Sequence, residues 1–209
     1  AVKVSTPLPL LLLLAAGVGA GCGLVNGLLI SYGRVLPIVA TLGSQYIIYG
    51  LSHLVSGGQA VYRKDMSEDF IQFTRGSFLG FNSKVWIMLA AFLVLLVFIT
   101  YTRHGRRLYA VGSNAEAARL SGINVRAVTL SAHVIMGILA GLAGMLYASH
   151  DNKITQDMAM GYEMYVIAAC VIGGVSVTGG SGKILGVALG ALTIGVINNG
   201  LTMLRLTGN

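Results

Sequence analysis

Apolar residues run along the chain in six blocks, at 9–31, 36–55, 85–101, 128–149, 163–178 and 184–204, separated by shorter polar stretches. A helix needs about 20 apolar residues to cross the hydrocarbon core of a bilayer. Five of the blocks come near that length, and 163–178 is short. The block 85–101, VWIMLAAFLVLLVFITY, is the most apolar, and the block at 36–55 opens around Pro37, a residue suited to a first helical turn. The pattern predicts an all-α, polytopic transmembrane helix bundle with about six membrane segments.

Small residues recur inside these blocks at helical spacing. Gly17 with Gly21, Gly137 with Gly141, Ala140 with Gly144, and Gly186 with Gly190 form small-xxx-small pairs. In lipid such pairs let two backbones approach closely, so they are expected to be packing stripes.

The stretch GGVSVTGGSGKI, 173–184, has the look of a phosphate-binding loop. That loop requires Gly, four residues, Gly-Lys, then Ser or Thr. Counting back from Gly182 and Lys183 puts Val177 where the first glycine belongs, and Ile184 follows the lysine with no hydroxyl for Mg²⁺. The motif fails. A continuous helix would instead lose about 1 kcal/mol at each glycine relative to alanine. Gly173, Gly174, Gly179, Gly180 and Gly182 therefore predict a break between the fifth and sixth segments. Irregular backbone at membrane depth survives only where protein or water satisfies it. The break reads either as a tight interfacial turn or as a broken helix lining a transport path.

Composition agrees with the block pattern. Hydrophobic residues make up 55% of the 209 and charged residues 10%, well under the roughly 25% of a soluble domain. Mean hydropathy is +0.78. The net charge of +7 does not point to nucleic acid, because the bases sit in short loops with no basic, aromatic-laced face. Cys22 and Cys170 lie within apolar blocks and read as small buried hydrophobes. His53, His104, His133 and His150 fall in separate segments with no metal spacing, and no Ser-His-acid motif is present. The first block follows one base, Lys3, and is long and glycine-laced, unlike a secretory signal. Both ends read as cut from a longer chain.

The stretch 102–127 carries Arg103, Arg106, Arg107, Arg119 and Arg126 against one acid, Glu116. The positive-inside rule then makes it cytoplasmic. Alternating the segments gives seven bases on each side: Arg34 and Lys183 join these five, and Lys3, Arg63, Lys64, Arg75, Lys84, Lys153 and Arg205 lie opposite. Density along the chain favours the cytoplasmic assignment. The loop 56–84 also mixes Asp65, Glu68 and Asp69 with its bases, as an outer loop would. Within 102–127, Ser113 or Asn114 is placed to cap a short helix, AEAARLS, that Gly122 stops. Its small-residue middle, Ala115, Ala117 and Ala118, reads either as a surface that docks into a partner's groove or as a solvated interfacial helix.

GRRLYAVGSNAEAARLSGINV resembles the signature of permease subunits of bacterial ATP-binding-cassette importers for ribose and related monosaccharides. LPIVATLGSQYIIYGLSHLVSGG at 36–58 and GYEMYVIAACVIGGVSVTGGSGKILGVALGALTIGVINNGL at 161–201 resemble the same family. The loop 59–84 has no matching pattern. The family's amino-terminal third and last few spans are not represented. The resemblance implies a single permease domain over 1–209 with a cytoplasmic coupling loop at 102–127. Asn114, Glu116, Ala117, Ala118, Arg119 and Gly122 would form the coupling helix that enters an ATPase groove. The implied partners are a second permease, identical or not, two ATP-binding subunits, an extracytoplasmic sugar-binding protein and the lipid bilayer. ATP and Mg²⁺ would be held by the ATPase, and no cofactor or metal by this chain. The implied location is the bacterial inner membrane.

Substrate-path residues are sought among polar groups in apolar blocks. Glu163 opens the fifth block beside Tyr162, where a carboxylate suits either sugar hydroxyls or the helix dipole. Asn198 and Asn199 are two amides deep in an apolar helix, costly unless paired. They read either as hydrogen-bonding between helices or with one of them lining the path. Neighbours on a helix point about 100° apart, so in the second case one packs and the other, Asn199, faces the path or the second permease. Gln45 in the second block is a further path candidate. A channel or secondary carrier working without ATP is the rival reading, and an intramembrane enzyme a more distant one.

Overall fold

A computed structural model of the chain describes residues 8–62, 76–78, 80–149 and 153–204. The bases Lys3, Arg63, Lys64, Arg75 and Arg205, the acids Asp65, Glu68 and Asp69, and His150 lie outside the described residues. Each apolar block becomes a helix. These are α1 (Leu8–Ser31), α2 (Pro37–Ser56), α3 (Ser83–Tyr101), α6 (Val125–Ala148), α7 (Tyr162–Ile172) and α8 (Ile184–Met203). Two further helices, α4 (Arg103–Ser113) and α5 (Ala115–Leu120), occupy the arginine-rich stretch. Five helices are long and apolar enough to cross a membrane, and α7, with 11 residues, is not. At 1.5 Å per residue α7 is about 16 Å long, roughly half the hydrocarbon thickness.

Side-chain exposure is that of a lipid-solvated protein. Ala40, Ala118, Val128 and Ala169 are buried, while Leu13, Val18, Leu54, Val55, Leu192 and Val196 stand open along the spans. Lipid tails are as apolar as leucine, so close backbone packing replaces burial of large side chains as the source of cohesion.

The chain divides into two compact units. The first holds residues 1–92 and 124–159 and is built on the antiparallel pair α1 and α6. Glycine makes that pairing possible. A Cβ at Gly137 would strike the Gly19 carbonyl and fall 2.9 Å from Gly23 Cα, and one at Gly27 would meet the Leu130 and His133 side chains. The register runs Ala15 and Gly19 against Gly141, Gly19 and Gly23 against Gly137, then Gly23 and Gly27 against His133. This corrects the stripe expected on α1. A Cβ at Gly17, Gly21 or Gly144 would meet nothing within 4 Å among the described residues. Gly17 and Gly19 lie about 200° apart around the helix, so the i, i+4 spacing was right and the face was wrong. At one end of the unit the Arg126 guanidinium lies 5.7 Å from the centroid of the Tyr32 ring. At the other, β1 (Val61–Tyr62) pairs antiparallel with β4 (Lys153–Ile154), and Gln156 donates to the Gln59 carbonyl at 3.0 Å. A second two-residue ribbon joins β2 (Ser77–Phe78) to β3 (Phe81–Asn82).

The second unit holds residues 93–123 and 160–209: the end of α3, then α4, α5, α7 and α8. Here the short fifth segment ends at Ile172 and helix resumes at Ile184. The Gly186–Gly190 pair does pack. A Cβ at Gly190 would strike the Ala169 carbonyl and lie 2.8 Å from the Gly173 nitrogen. Between the two helices the backbone takes positive φ at Gly174, Gly179 and Gly180. The turn closes on itself, with Ser176 N–H donating to the Ser181 carbonyl at 3.0 Å and Gly179 N–H to the Ser176 carbonyl at 3.1 Å.

Candidate functional site

Three places gather polar groups: the α4–α5 element, the α7–α8 groove and the α1–α6 groove. The first begins where α3 ends. Thr102 Oγ1 accepts from Gly105 N–H at 3.1 Å and caps α4. Gly105 is buried against the Ile99 backbone, so the chain turns there with no room for a side chain. Asn114 then closes one helix and opens the next. Its N–H donates to the Ala110 carbonyl at 3.1 Å, and its Oδ1 accepts from Glu116 and Ala117 N–H, both at 3.0 Å. Of the two residues that could cap α5, Asn114 does so. At the far end Gly122 takes φ of +79°, and Ile123 N–H returns to the Ala118 carbonyl at 3.0 Å.

On α5, Ala118 is 4% exposed and faces the protein. Glu116, Ala117, Arg119 and Leu120 face outward, and Leu120 is 86% exposed. Leu120 is thus the large apolar side chain on the outward face of α5. The sequence analysis dwelt on the alanines of AEAARL and did not single out this leucine.

The second place is a groove of about 540 Å³ between α7 and α8, lined by Tyr162, Tyr165, Ile194, Gly195, Asn198 and Thr202 among others. The Tyr162 and Tyr165 rings stand edge to face at 5.9 Å. Asn198 is half-buried within this groove, whereas Asn199 is exposed and does not line it. Glu163 sits in the first turn of α7, half-buried. Gln45 is half-buried on α2, in the other unit.

The third is a groove of about 680 Å³ along α1 and α6, where Asn26, Thr41 and His133 lie among apolar neighbours. His133 Nδ1 is 2.9 Å from the Thr129 carbonyl, which fixes the proton on Nδ1. Asn26 Oδ1 is buried and has no hydrogen-bond partner among the described residues. A lone amide in an apolar block was the signal, and the rule applied to Asn198 and Asn199 would have found it. Outside the spans, Asp157 is exposed, and a hydrogen bond from the Thr155 side chain holds its carboxyl below the usual value. Among the described residues no group of three or more His, Cys, Asp or Glu comes together.

Five helices long and apolar enough to cross a bilayer give the chain the architecture of a multi-pass membrane protein. Residues 1–207 match the family described as "Branched-chain amino acid transport system / permease component", and the chain belongs to it. The chain is 40% identical over 203 residues to the galactose/methyl galactoside import permease protein of Haemophilus influenzae, covering 94% of this chain and 60% of that one. It is 38% identical to the ribose import permease protein of Bacillus subtilis, covering 87% of this chain and 56% of that one. Identity is again 38% to the D-allose transport system permease protein of Escherichia coli K12, covering 88% and 56%. The chain thus spans 56–60% of the length of these relatives. No solved structure matches it.

Proposed function

We propose that this chain forms the membrane path of an ATP-driven monosaccharide importer and couples it to a separate ATPase. The observation that carries the coupling role is α5, a helix capped at both ends that presents Glu116, Ala117, Arg119 and Leu120 outward. The sugar assignment rests on the likeness to galactose, ribose and allose permeases. In this reading 1–209 is part of one permease domain in the bacterial inner membrane, paired with a second permease. Two ATPase subunits hold ATP and Mg²⁺, and a binding protein delivers sugar from outside. The α7–α8 groove supports a path role for Asn198, where an amide and two tyrosines suit a hydroxyl-rich solute. Asn199, Glu163 and Gln45 are the alternative path residues, separable by uptake assays on single Leu, Gln and Leu variants.

The test uses the full-length permease expressed with its ATPase and binding protein. Burying a leucine is worth about 1.5–3 kcal/mol, so Leu120→Asp should weaken ATPase retention by roughly tenfold or more. Glu116→Arg should do likewise, while both variants still insert in the membrane. Wild-type ATPase co-purification and uptake in both would remove the coupling assignment. Uptake of labelled ribose, galactose, arabinose and allose should exceed that of leucine, and the reverse order would replace the sugar assignment with the amino acid of the family's description.

A further inference from the structure

The glycine-rich turn is fastened to the arginine-rich element by contacts that the proposed function leaves unused. The Tyr109 hydroxyl, on α4, donates to the Gly182 carbonyl at 2.8 Å, across 73 residues of sequence. One turn further along α4, a Cβ at Gly112 would lie 2.8 Å from the Gly180 nitrogen, and a Cβ at Gly180 would strike Ser113. Gly180 also has φ of +74°. Two backbones therefore touch here with no side chain between them, and the tyrosine hydroxyl pins their register.

We propose that this seam transmits displacement of α5 into the membrane helices α7 and α8, with Tyr109 as its positioning residue. The inference rests on the reading of α5 as the ATPase-docking helix. Each link is stiff. Asn114 is shared by α4 and α5, so a push on α5 moves the carboxy-terminal end of α4 and is not absorbed by a linker. That end bears Gly112 and Ser113, which abut Gly179 and Gly180. The turn they meet is closed by the Ser176–Ser181 hydrogen bond and by Ser176 Oγ with Thr178 Oγ1 at 2.8 Å, so it moves as one piece. It is tied to α7 by Val175 N–H on the Cys170 carbonyl at 3.0 Å, and it runs through Gly182 and Lys183 into α8. Packed backbones respond to a push by shifting together, since close-packed interiors are poorly compressible. The failed phosphate loop thereby gains a role: its glycines let α4 approach.

The experiment uses the full-length permease assembled with its ATPase and sugar-loaded binding protein in liposomes. The probe is whichever of ribose, galactose, arabinose and allose is taken up fastest. The readout is sugar taken up per ATP hydrolysed, alongside ATPase co-purification. Tyr109→Phe keeps the ring and removes the hydroxyl. It should leave co-purification unchanged and lower the ratio roughly two- to tenfold, the equilibrium factor of one neutral hydrogen bond. Gly112→Ala keeps the hydroxyl and forces the backbones apart, and it should lower the same ratio. A merely structural role would reduce uptake and hydrolysis together, leaving the ratio at the wild-type value, and that result overturns the proposal. Loss of ATPase binding in Tyr109→Phe overturns it as well. Failure of the underlying reading shows elsewhere: ATPase would then remain bound and coupled in Leu120→Asp, whatever the Tyr109 variant does.

Discussion

Gly17 and Gly19 stand two residues apart on α1 and answer to different physics. A methyl group at Gly19 would collide with the Gly137 carbonyl and crowd Gly141 Cα. At Gly17 it would meet nothing within 4 Å among the described residues. Gly19→Ala must push α1 and α6 apart, a kind of overpacking that costs about 1–3 kcal/mol. Gly17→Ala adds a methyl in open space and replaces the poorest helix former but proline, so it should be neutral or stabilising by up to about 1 kcal/mol. Thermal unfolding of each variant in detergent checks the contrast, and equal shifts would mean that the α1–α6 seam is not what holds this unit. The same comparison limits what residue spacing can say. A four-residue repeat of small side chains is visible in the sequence, but α1 carries one on two faces. Only the position of α6 chooses between them.

Among the elements, the apolar blocks were legible to within a few residues because crossing lipid imposes length and continuity on them. The second block begins helical at Pro37, and the break after Ile172 falls where glycines accumulate. Helix α4 was not legible. Its sequence, RHGRRLYAVGS, opens with three arginines and holds two glycines, a composition that reads as loop. Tertiary contact overrides that propensity, since Gly105 is needed against Ile99 and Gly112 against Gly180. The cap at Asn114 was half legible, as one of two residues placed to serve. Its energetic share is open to test. Replacing an N-cap by alanine costs about 1 kcal/mol, and aspartate caps as well as asparagine. Asn114→Ala should therefore fray α5 and weaken ATPase retention by roughly fivefold, while Asn114→Asp should retain it near wild type. Co-purification at graded detergent and salt measures both, and an equal loss in the two variants would assign Asn114 a direct contact with the ATPase in place of a capping role.

Across the whole molecule the question is which side each end faces, and the base count ties. The structure adds where the bases stand relative to the spans. Arg126 lies in the first turn of α6 beside Tyr32, and Arg34 follows Tyr32 by two residues in the short α1–α2 connection. In the other unit Arg103, Arg106 and Arg107 follow α3 directly, and Lys183 precedes α8 next to the Tyr109–Gly182 hydrogen bond. Positive charge orients a membrane protein mainly when it sits in short connections near span ends, which describes these residues and also Arg63, Lys64, Lys84 and Lys153 on the opposite side. What favours one side is density, five arginines against Glu116 alone within 102–127, where the opposite connection mixes Asp65, Glu68 and Asp69 with its bases. The arginine-rich side should therefore be cytoplasmic, and the side where Gln156 meets Gln59 extracytoplasmic. Single cysteines placed at exposed Ser113 and exposed Gln59 decide it, in a full-length background with the free thiols Cys22 and Cys170 replaced by alanine. In intact cells an impermeant thiol reagent should label Gln59→Cys and spare Ser113→Cys, which should react only after the membrane is opened. The opposite pattern would turn the protein over. It would also leave α5 facing away from any cytoplasmic ATPase, so the coupling role and the orientation stand or fall on the same pair of reactions.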